Sequence, residues 1–588
     1  MLETRLQAEN TAFAQFQGGN DVFGEAVLTQ VTDITGYKMS VLTKSNSSAL
    51  RPPLAAWVFR ALLICCCAGL LSVILGPDNS WDLRFYHLYA PWAYLQGRYL
   101  YDIGPAQSQG FLNPTSGFLF YALISSKLND FPRILAFVMG AVHGLNAVLI
   151  FAIVRHVLRP LQRLDGFVLR AAAFLVGVSG TGFVSLLGMT SNDLINSVFV
   201  LASLLCVLKV AELPAADRGG TGFALAGLFA GIAVGLKYTA AVFVPGLGTI
   251  TIIAAIRRKT VGGPIAFAAA SAVGVLAVAG HHLVTLWQDF GNPLFPFLNQ
   301  IFHSPYYEPE PLRDKQFLPR DVWQALVYPF YWAKTNSYLV SEVRFRDWRG
   351  AIAYVAIAAG LFKLVTSCAR GKLSRDDAFA ETQGLALVFV FMIVSFFVWE
   401  FAFSIYRYAV VLEMLTGAAA MGGLIWLVKD HRLRIAAAIA VLAAVALTTI
   451  YPDWERGRFG NRYVDVRVPP LPPNSLVLLA TGQPAAYFIP FAEPTARYLG
   501  IENNYLLLSQ HNILASEVKR LMRTPGPSKF ILSFGPFDSG KLNAILAHFG
   551  LRLGSSPCQP IRSNLEVDAL SLCEAVEDGG RPGADGQD

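Results

Sequence analysis

The sequence predicts an α-helical polytopic membrane protein of about eleven transmembrane helices, followed by a small C-terminal α/β domain. Three observations carry this reading. The 588 residues are 54% apolar and only 15% charged, with a mean hydropathy of +0.45, far from a soluble average. Apolar runs near bilayer-crossing length recur from Ala55 to Ile450. Beyond Tyr451 the apolar runs shrink to strand length and alternate with amphipathic stretches.

Residues 1–54 have weak periodicity and no apolar core long enough for a signal peptide, so they read as a disordered cytoplasmic extension, with Met39 as an alternative start. The predicted spans then run Ala55–Leu75, Ile134–Val154, Phe167–Leu187, Leu194–Val210, Phe223–Leu236, Ala240–Ile256, Gly262–Trp287, Ala351–Val365, Gly384–Ile405, Ala409–Val428 and Ile435–Ile450. Orientation follows from the basic loops. Arg155, Arg159 and Arg163, then Arg257, Arg258 and Lys259, then Arg370, Lys372 and Arg375, then Lys429, Arg432 and Arg434 share one side only if Pro114–Leu128 lies along the surface. Those loops are then cytoplasmic. The segment 77–133, the loop 288–349 and everything after Tyr451 are exported across the inner membrane.

In the exported region 452–576, SLVLLA, ARYLGI and KFILSFG have strand character, and NILASEVKRLMR and KLNAILAHFG have helical periodicity. LRLGSSPC and ALSLCEAV are candidates for a terminal hairpin, and residues 577–588 read as a disordered tail. Cys558 and Cys573 are placed to form a disulfide if this region is exported; Cys65, Cys66, Cys67 and Cys206 sit in apolar runs as packing residues. The net charge of +7 is dispersed over the ends of apolar runs, which gives no nucleic-acid footprint.

The polar residues suited to chemistry collect on the exported side. GPDNSWDLRFYHLYAPWAYLQGRYLYD places Asp78, Asp82, Tyr86 and His87 directly after the first span, and Asp193, Lys237, Tyr238 and Arg407 stand at later exported helix ends. Each has a plainer reading: an interfacial aromatic belt for the first loop, a helix N-cap for Asp193, snorkelling for Lys237. No Gly-rich phosphate loop, HExxH or CxxC spacing is present; a divalent metal is possible but not indicated, and no cofactor is called for.

Asp82 with Tyr86 and Gly97 after the first helix, the Asn113-Pro114 start of the surface segment, GMTSNDLINSVFVLASLL, GLFAGIAVGLKYTAAVFVPGLG and FSIYRYAVVLEMLTG resemble, in that order, the GT-C superfamily of membrane glycosyltransferases. Its members include the protein O-mannosyltransferases and the bacterial aminoarabinose transferases of lipid A. The resemblance covers roughly Ala55 to Val428 and implies a polyprenyl-phosphate sugar as donor. It implies Asp82 as general base, Arg407 and Lys237 as donor-phosphate contacts, and Asp78, Tyr86, His87, Asp193 and Tyr238 as residues that shape the site. In the last motif Ala409 and Val410 stand where the family pattern sometimes has Pro. The acceptor is an unknown glycan, lipid or protein. A lipid or glycan transporter or flippase would also use many helices and intramembrane charges, and an O-antigen-type polymerase or ligase would use the same donor class.

Overall fold

The protein is described by a computed structural model that covers residues 54–158, 164–213, 219–312, 314–334, 339–369, 375–565 and 568–578. The N-terminal extension before Leu54, the tail from residue 579, and Arg159, Arg163, Arg370 and Lys372 of the basic loops lie outside the described residues.

The apolar runs predicted to span form helix, apart from a break in Phe167–Leu187, and short helices lie in the first loop between them. In order these are α1 (Leu54–Leu75), α2 (Tyr89–Leu95) and α3 (Phe118–Ser125) of the first loop, α4 (Pro132–His143), α5 (Leu145–Val157), α6 (Leu164–Val178), α7 (Asp193–Ala211), α8 (Gly220–Leu236), α9 (Val244–Arg257) and α10 (Gly262–Phe290). They continue as α11 (Arg349–Ala369), α12 (Arg375–Ala402), α13 (Val410–Leu427) and α14 (His431–Thr448). Among the described residues eight spans are long and apolar enough to cross a bilayer, with α4 and α5 counted as one; α6 and α8 are shorter apolar helices. The protein is a multi-pass helical membrane protein.

Helix α13 is the centre of the bundle, buried along nearly its whole length, whereas α1 buries only Ala68, Gly69 and Ser72 and leaves the rest for lipid. Close packing depends on small residues, because lipid removes the hydrophobic drive between helices. The clearest case is α8, where Gly227, Gly231 and Gly235 recur every four residues and meet α10; a Cβ on Gly231 would lie 2.0 Å from the carbonyl of Ser271.

Two predicted elements differ in detail. The run Phe167–Leu187 is not one helix: α6 stops at Val178, Gly180 is extended, and a short turn Thr181–Ser185 follows. The cause is the α13 carboxylate of Glu413, which takes the amides of Gly182 and Phe183 at 2.7 and 2.9 Å and fills the space where a Gly180 side chain would stand. The stretch Pro114–Leu128 forms no helix of crossing length; it is broken into a turn at Pro114–Gly117, the eight residues of α3, and a turn at Lys127–Asp130.

The C-terminal domain is a mixed sheet in the order β1-β6-β7-β4-β2-β3, with β5 also on β7. Its strands are β1 (Val466–Arg467), β2 (Leu476–Leu479), β3 (Arg497–Gly500), β4 (Lys529–Phe534), β5 (Leu551–Leu553), β6 (Gln559–Ser563) and β7 (Leu570–Glu577); its helices are α15 (Ile513–Arg523) and α16 (Ser539–Ala547). β2 is parallel to β3 and β4, while β4, β5 and β6 pair β7 antiparallel. Cys558 and Cys573 form a disulfide that ties the segment entering β6 to β7.

Both faces of this sheet are covered, which is why all four residues of β2 are buried. Val477 and Leu479 pack on one side with Leu83, Phe85, Tyr86 and Trp92 of the first loop. Leu476 and Leu478 pack on the other with Tyr99, Ile103 and Phe111 of the same loop and Phe290 of α10. The loop even extends the sheet, since Ile103 exchanges backbone hydrogen bonds with Tyr498 and Gly500 at 2.9 and 2.7 Å. Gly500 is required there: a Cβ would lie 2.2 Å from the carbonyl of Gly104. Arg98 completes the clamp, bonding Asp102 through two nitrogens at 2.7 Å each and donating to the carbonyls of Pro494 and Ala496 at 2.6 Å each.

Gly231→Val is predicted to push α8 off α10 and destabilise the protein by about 1–3 kcal/mol, read as a lowered thermal midpoint in detergent. Gly248→Ala, where an added Cβ meets nothing within 4 Å, leaves the midpoint unchanged or slightly raised. Equal midpoints for Gly231→Val and the native protein would contradict the glycine-packed contact.

Candidate functional site

The site forms where the loop after α1 meets the ends of α7, α8 and α12. Gly76, with φ +96°, turns the chain out of α1. Asp78 then anchors it: its carboxylate accepts from the Thr190 amide and hydroxyl at 2.7 and 2.6 Å and from the Ser80 amide at 2.8 Å. Asp78 therefore holds the first loop against the turn before α7, and its amide donates to Tyr463 of the C-terminal region at 3.0 Å. Next comes a wide π-type turn, Leu83–His87, buried at all five residues. Such turns displace side chains from ordinary helical register and recur at functional sites.

Asp82, at the start of this turn, is buried and accepts a charge-assisted hydrogen bond from the guanidinium of Arg407. Arg407 lies in the turn Tyr406–Ala409 that joins α12 to α13. That turn is fixed from several sides. The Trp399 indole donates to the Ile405 carbonyl at 2.8 Å, the Tyr406 amide donates to Val340 at 2.7 Å, and the Tyr406 hydroxyl donates to Glu413 at 2.7 Å. Glu342 lies 3.6 Å from the Arg407 Nε.

Asp193 opens α7, but its side chain does not cap the helix; it turns to Lys237, whose Nζ is 2.6 Å from Oδ1. Lys237 is the residue at which α8 ends. Its position is fixed from below by Asn113, whose amide donates to the carbonyl of Gly235 at 2.6 Å. The Tyr408 ring unites the two ion pairs: Lys237 Nζ is 4.8 Å and Arg407 Cζ 5.3 Å from its centroid. Two cations, two carboxylates and one aromatic ring thus form a single cluster.

Burial alone would raise the Asp82 carboxyl, but Arg407, His87 and Lys237 together outweigh it and hold Asp82 below its usual range. His87 is pushed down to about 4 by burial, against the opposing pull of Asp82. At neutral pH the turn therefore presents an ionised carboxylate and a neutral imidazole.

Of the residues singled out from the sequence, Asp82, Asp193, Lys237 and Arg407 come together directly. Tyr86 and His87 flank them with rings 4.2 Å apart. Asp78 is fully engaged in holding the loop. The Tyr238 hydroxyl is buried with no hydrogen-bond partner among the described residues. The sequence reading missed Tyr408, Glu342 and Asn192, and also the buried knot of Thr181, Asp347, Arg349, Tyr406 and Glu413. Glu413 was within reach of a sequence reading, since it closes the FSIYRYAVVLEMLTG motif. Asp347 and Arg349 carried no such signal. Among the described residues no group of three or more His, Cys, Asp or Glu is arranged to hold a metal ion.

The helical bundle carries, at its helix ends, a cationic cluster facing a carboxylate on the loop that follows α1. Residues 111–329 match the model of Glycosyltransferase family 87. The matched segment carries Asp193, Lys237 and Tyr238; Asp82 lies before it and Arg407 after it. Structures of ArnT from Cupriavidus metallidurans, one bound to undecaprenyl phosphate and one in the apo state, align with this chain at 11% identity and a TM-score of 0.38. Each alignment covers 89% of this chain and 97% of ArnT. No residue role is carried across at that level of likeness. No curated protein matches the chain.

Unfolded, His87 takes up a proton near its ordinary value of 6.5; folded, it does so only near about 4. Between those values the unfolded state binds more protons, so stability falls as pH drops through that window. His87→Asn is predicted to reduce the loss of thermal midpoint between about pH 6.5 and about pH 4. A loss as large as in the native protein would show that His87 is not a buried neutral imidazole.

Proposed function

We propose that the protein transfers a sugar from a polyprenyl-phosphate donor to an acceptor at the periplasmic face of the inner membrane. The observation that carries this reading is the position of Arg407. It pairs with Asp82 on one side, and its chain neighbours Tyr406 and Ala409 line an apolar groove of about 250 Å³ between α11, α12 and α13. Ala353, Ile357, Leu361, Met392, Phe396 and Leu412 form the groove's walls. Arg349, paired with Asp347, and Glu413 also line it, and Arg407 stands one residue outside; an apolar slot beside the turn that carries Arg407 suits a lipid chain that ends in phosphate.

The chemistry follows from the cluster. The acceptor hydroxyl attacks the anomeric carbon and its proton passes to the Asp82 carboxylate. The bond from that carbon to the phosphate oxygen breaks, and polyprenyl phosphate leaves with the bonding electrons. Arg407 and Lys237 take up the charge that grows on it. In the unliganded cluster Arg407 weakens Asp82 as a base. A phosphate that draws the guanidinium toward itself removes part of that hold, so donor binding itself makes Asp82 a better proton acceptor. Asp193 and Tyr408 keep Lys237 and Arg407 side by side.

The periplasmic side is supported by the disulfide in the C-terminal domain, since such bridges persist in oxidising compartments. It is also supported by the short helices between Asn113 and Phe131, none of crossing length, which keep the basic loops on one side. The acceptor is a glycan, lipid or protein reached from that side.

In membranes supplied with radiolabelled polyprenyl-phosphate sugars, Asp82→Asn is predicted to lower transfer by about 10²–10⁴-fold at unchanged expression. Arg407→Gln is predicted to weaken donor binding as well as turnover. Equal transfer by Asp82→Asn and the native protein would remove Asp82 from the role of base.

A further inference from the structure

Beside the charged cluster lies a second, uncharged feature. Tyr86, His87, Pro91, Asn113, Ser116 and Asn192 line a small cleft of about 10 Å³, room for about one water-sized group. Three buried polar atoms of these wall residues have no hydrogen-bond partner among the described residues: His87 Nε2, Ser116 Oγ and Asn192 Oδ1. The residues are 3%, 6% and 7% exposed. Buried polar groups are almost always paired, and three orphans on one cleft mark a place that a polar group completes.

The hydrogen-bond roles identify that group. Asn192 Nδ2 lies 3.4 Å from His87 Nδ1, which makes Nδ1 the acceptor and leaves Nε2 carrying the proton. The cleft then offers an N–H donor from His87, a carbonyl acceptor from Asn192 and a hydroxyl from Ser116 that serves as either. A phosphate would meet the Asn192 carbonyl oxygen with no cation among the lining residues. A hydroxyl both donates and accepts and satisfies the set.

We infer that this cleft is a subsite for one hydroxyl of the transferred sugar, and that Asn192, Ser116 and His87 set which sugar the enzyme accepts. The inference rests on the transferase reading above. The donor's sugar is the relevant source because Asn192 adjoins Asp193, the partner of Lys237, and Asn113 on the cleft wall holds the carbonyl two residues before Lys237. A sugar bonded to a phosphate at Lys237 and Arg407 is the substrate group that lies within reach.

The test uses the full-length protein in lipid vesicles with polyprenyl-phosphate hexoses and pentoses and their monodeoxy analogues. For the sugar that is transferred, the native protein is expected to disfavour one monodeoxy analogue by about 10-fold or more in kcat/KM. Asn192→Ala and Ser116→Ala should each bring that ratio below about 3-fold. Because the readout is a ratio between two donors within one preparation, partial misfolding of a variant cancels. If the native protein transfers sugar but the ratio is the same in both variants, the cleft holds a structural water and the subsite is overturned while the transferase reading stands. If no polyprenyl-phosphate sugar is transferred by the native protein, both fall together.

Discussion

Asp82 and Arg407 stand 325 positions apart in the chain, yet they share one hydrogen bond in a buried setting, and the rest of the molecule is arranged to make that contact possible. An ion pair out of water is costly unless its geometry is held firmly and its remaining polar atoms have partners. Both sides are held. The Asp82 turn is pinned through Asp78 to Thr190 and through hydrophobic contact to the C-terminal sheet. The Arg407 turn is pinned by Trp399, Val340 and Glu413. Lys237 and Asp193 repeat the arrangement one ring away, so two buried pairs share the Tyr408 face and each steadies the field of the other.

The C-terminal domain belongs to this arrangement. The first loop covers part of both apolar faces of its sheet, and the loop would lose its core without the sheet. Arg98 and Asp102 lock the two together with hydrogen bonds to Pro494, Ala496 and Tyr498. A mobile loop could not keep a carboxylate in register with an arginine on another helix. The α/β domain therefore holds in place the loop that carries Asp82.

Much of this was legible in the sequence, for a physical reason in each case. Spans are compositional, so hydropathy found α1, α7 and α10 within a few residues, while α6 ends nine residues before the predicted Leu187 and α12 begins nine before the predicted Gly384. Asp82, Asp193, Lys237 and Arg407 were visible because the basic loops put them all at exported helix ends and because they lie in motifs that resemble GT-C enzymes. β2, β3 and β4 were visible from short β-branched and aromatic runs between turns. What could not be read depends on partners distant in the chain. The break in α6 at Gly180 exists because Glu413 arrives from α13, and no local signal foretells it. β1 and β6 are short and largely polar and gain their strand character only by pairing. Asn192 looks like an ordinary residue at a helix start until His87 is placed beside it.

The central claim is that donor phosphate and Asp82 compete for Arg407. A structure of the protein with a polyprenyl phosphate bound tests it most directly. The account predicts the phosphate between Lys237 and Arg407, the lipid chain in the groove walled by α11, α12 and α13, and the Arg407 guanidinium drawn away from Asp82. A phosphate bound elsewhere, with the Asp82–Arg407 contact unchanged, would contradict it.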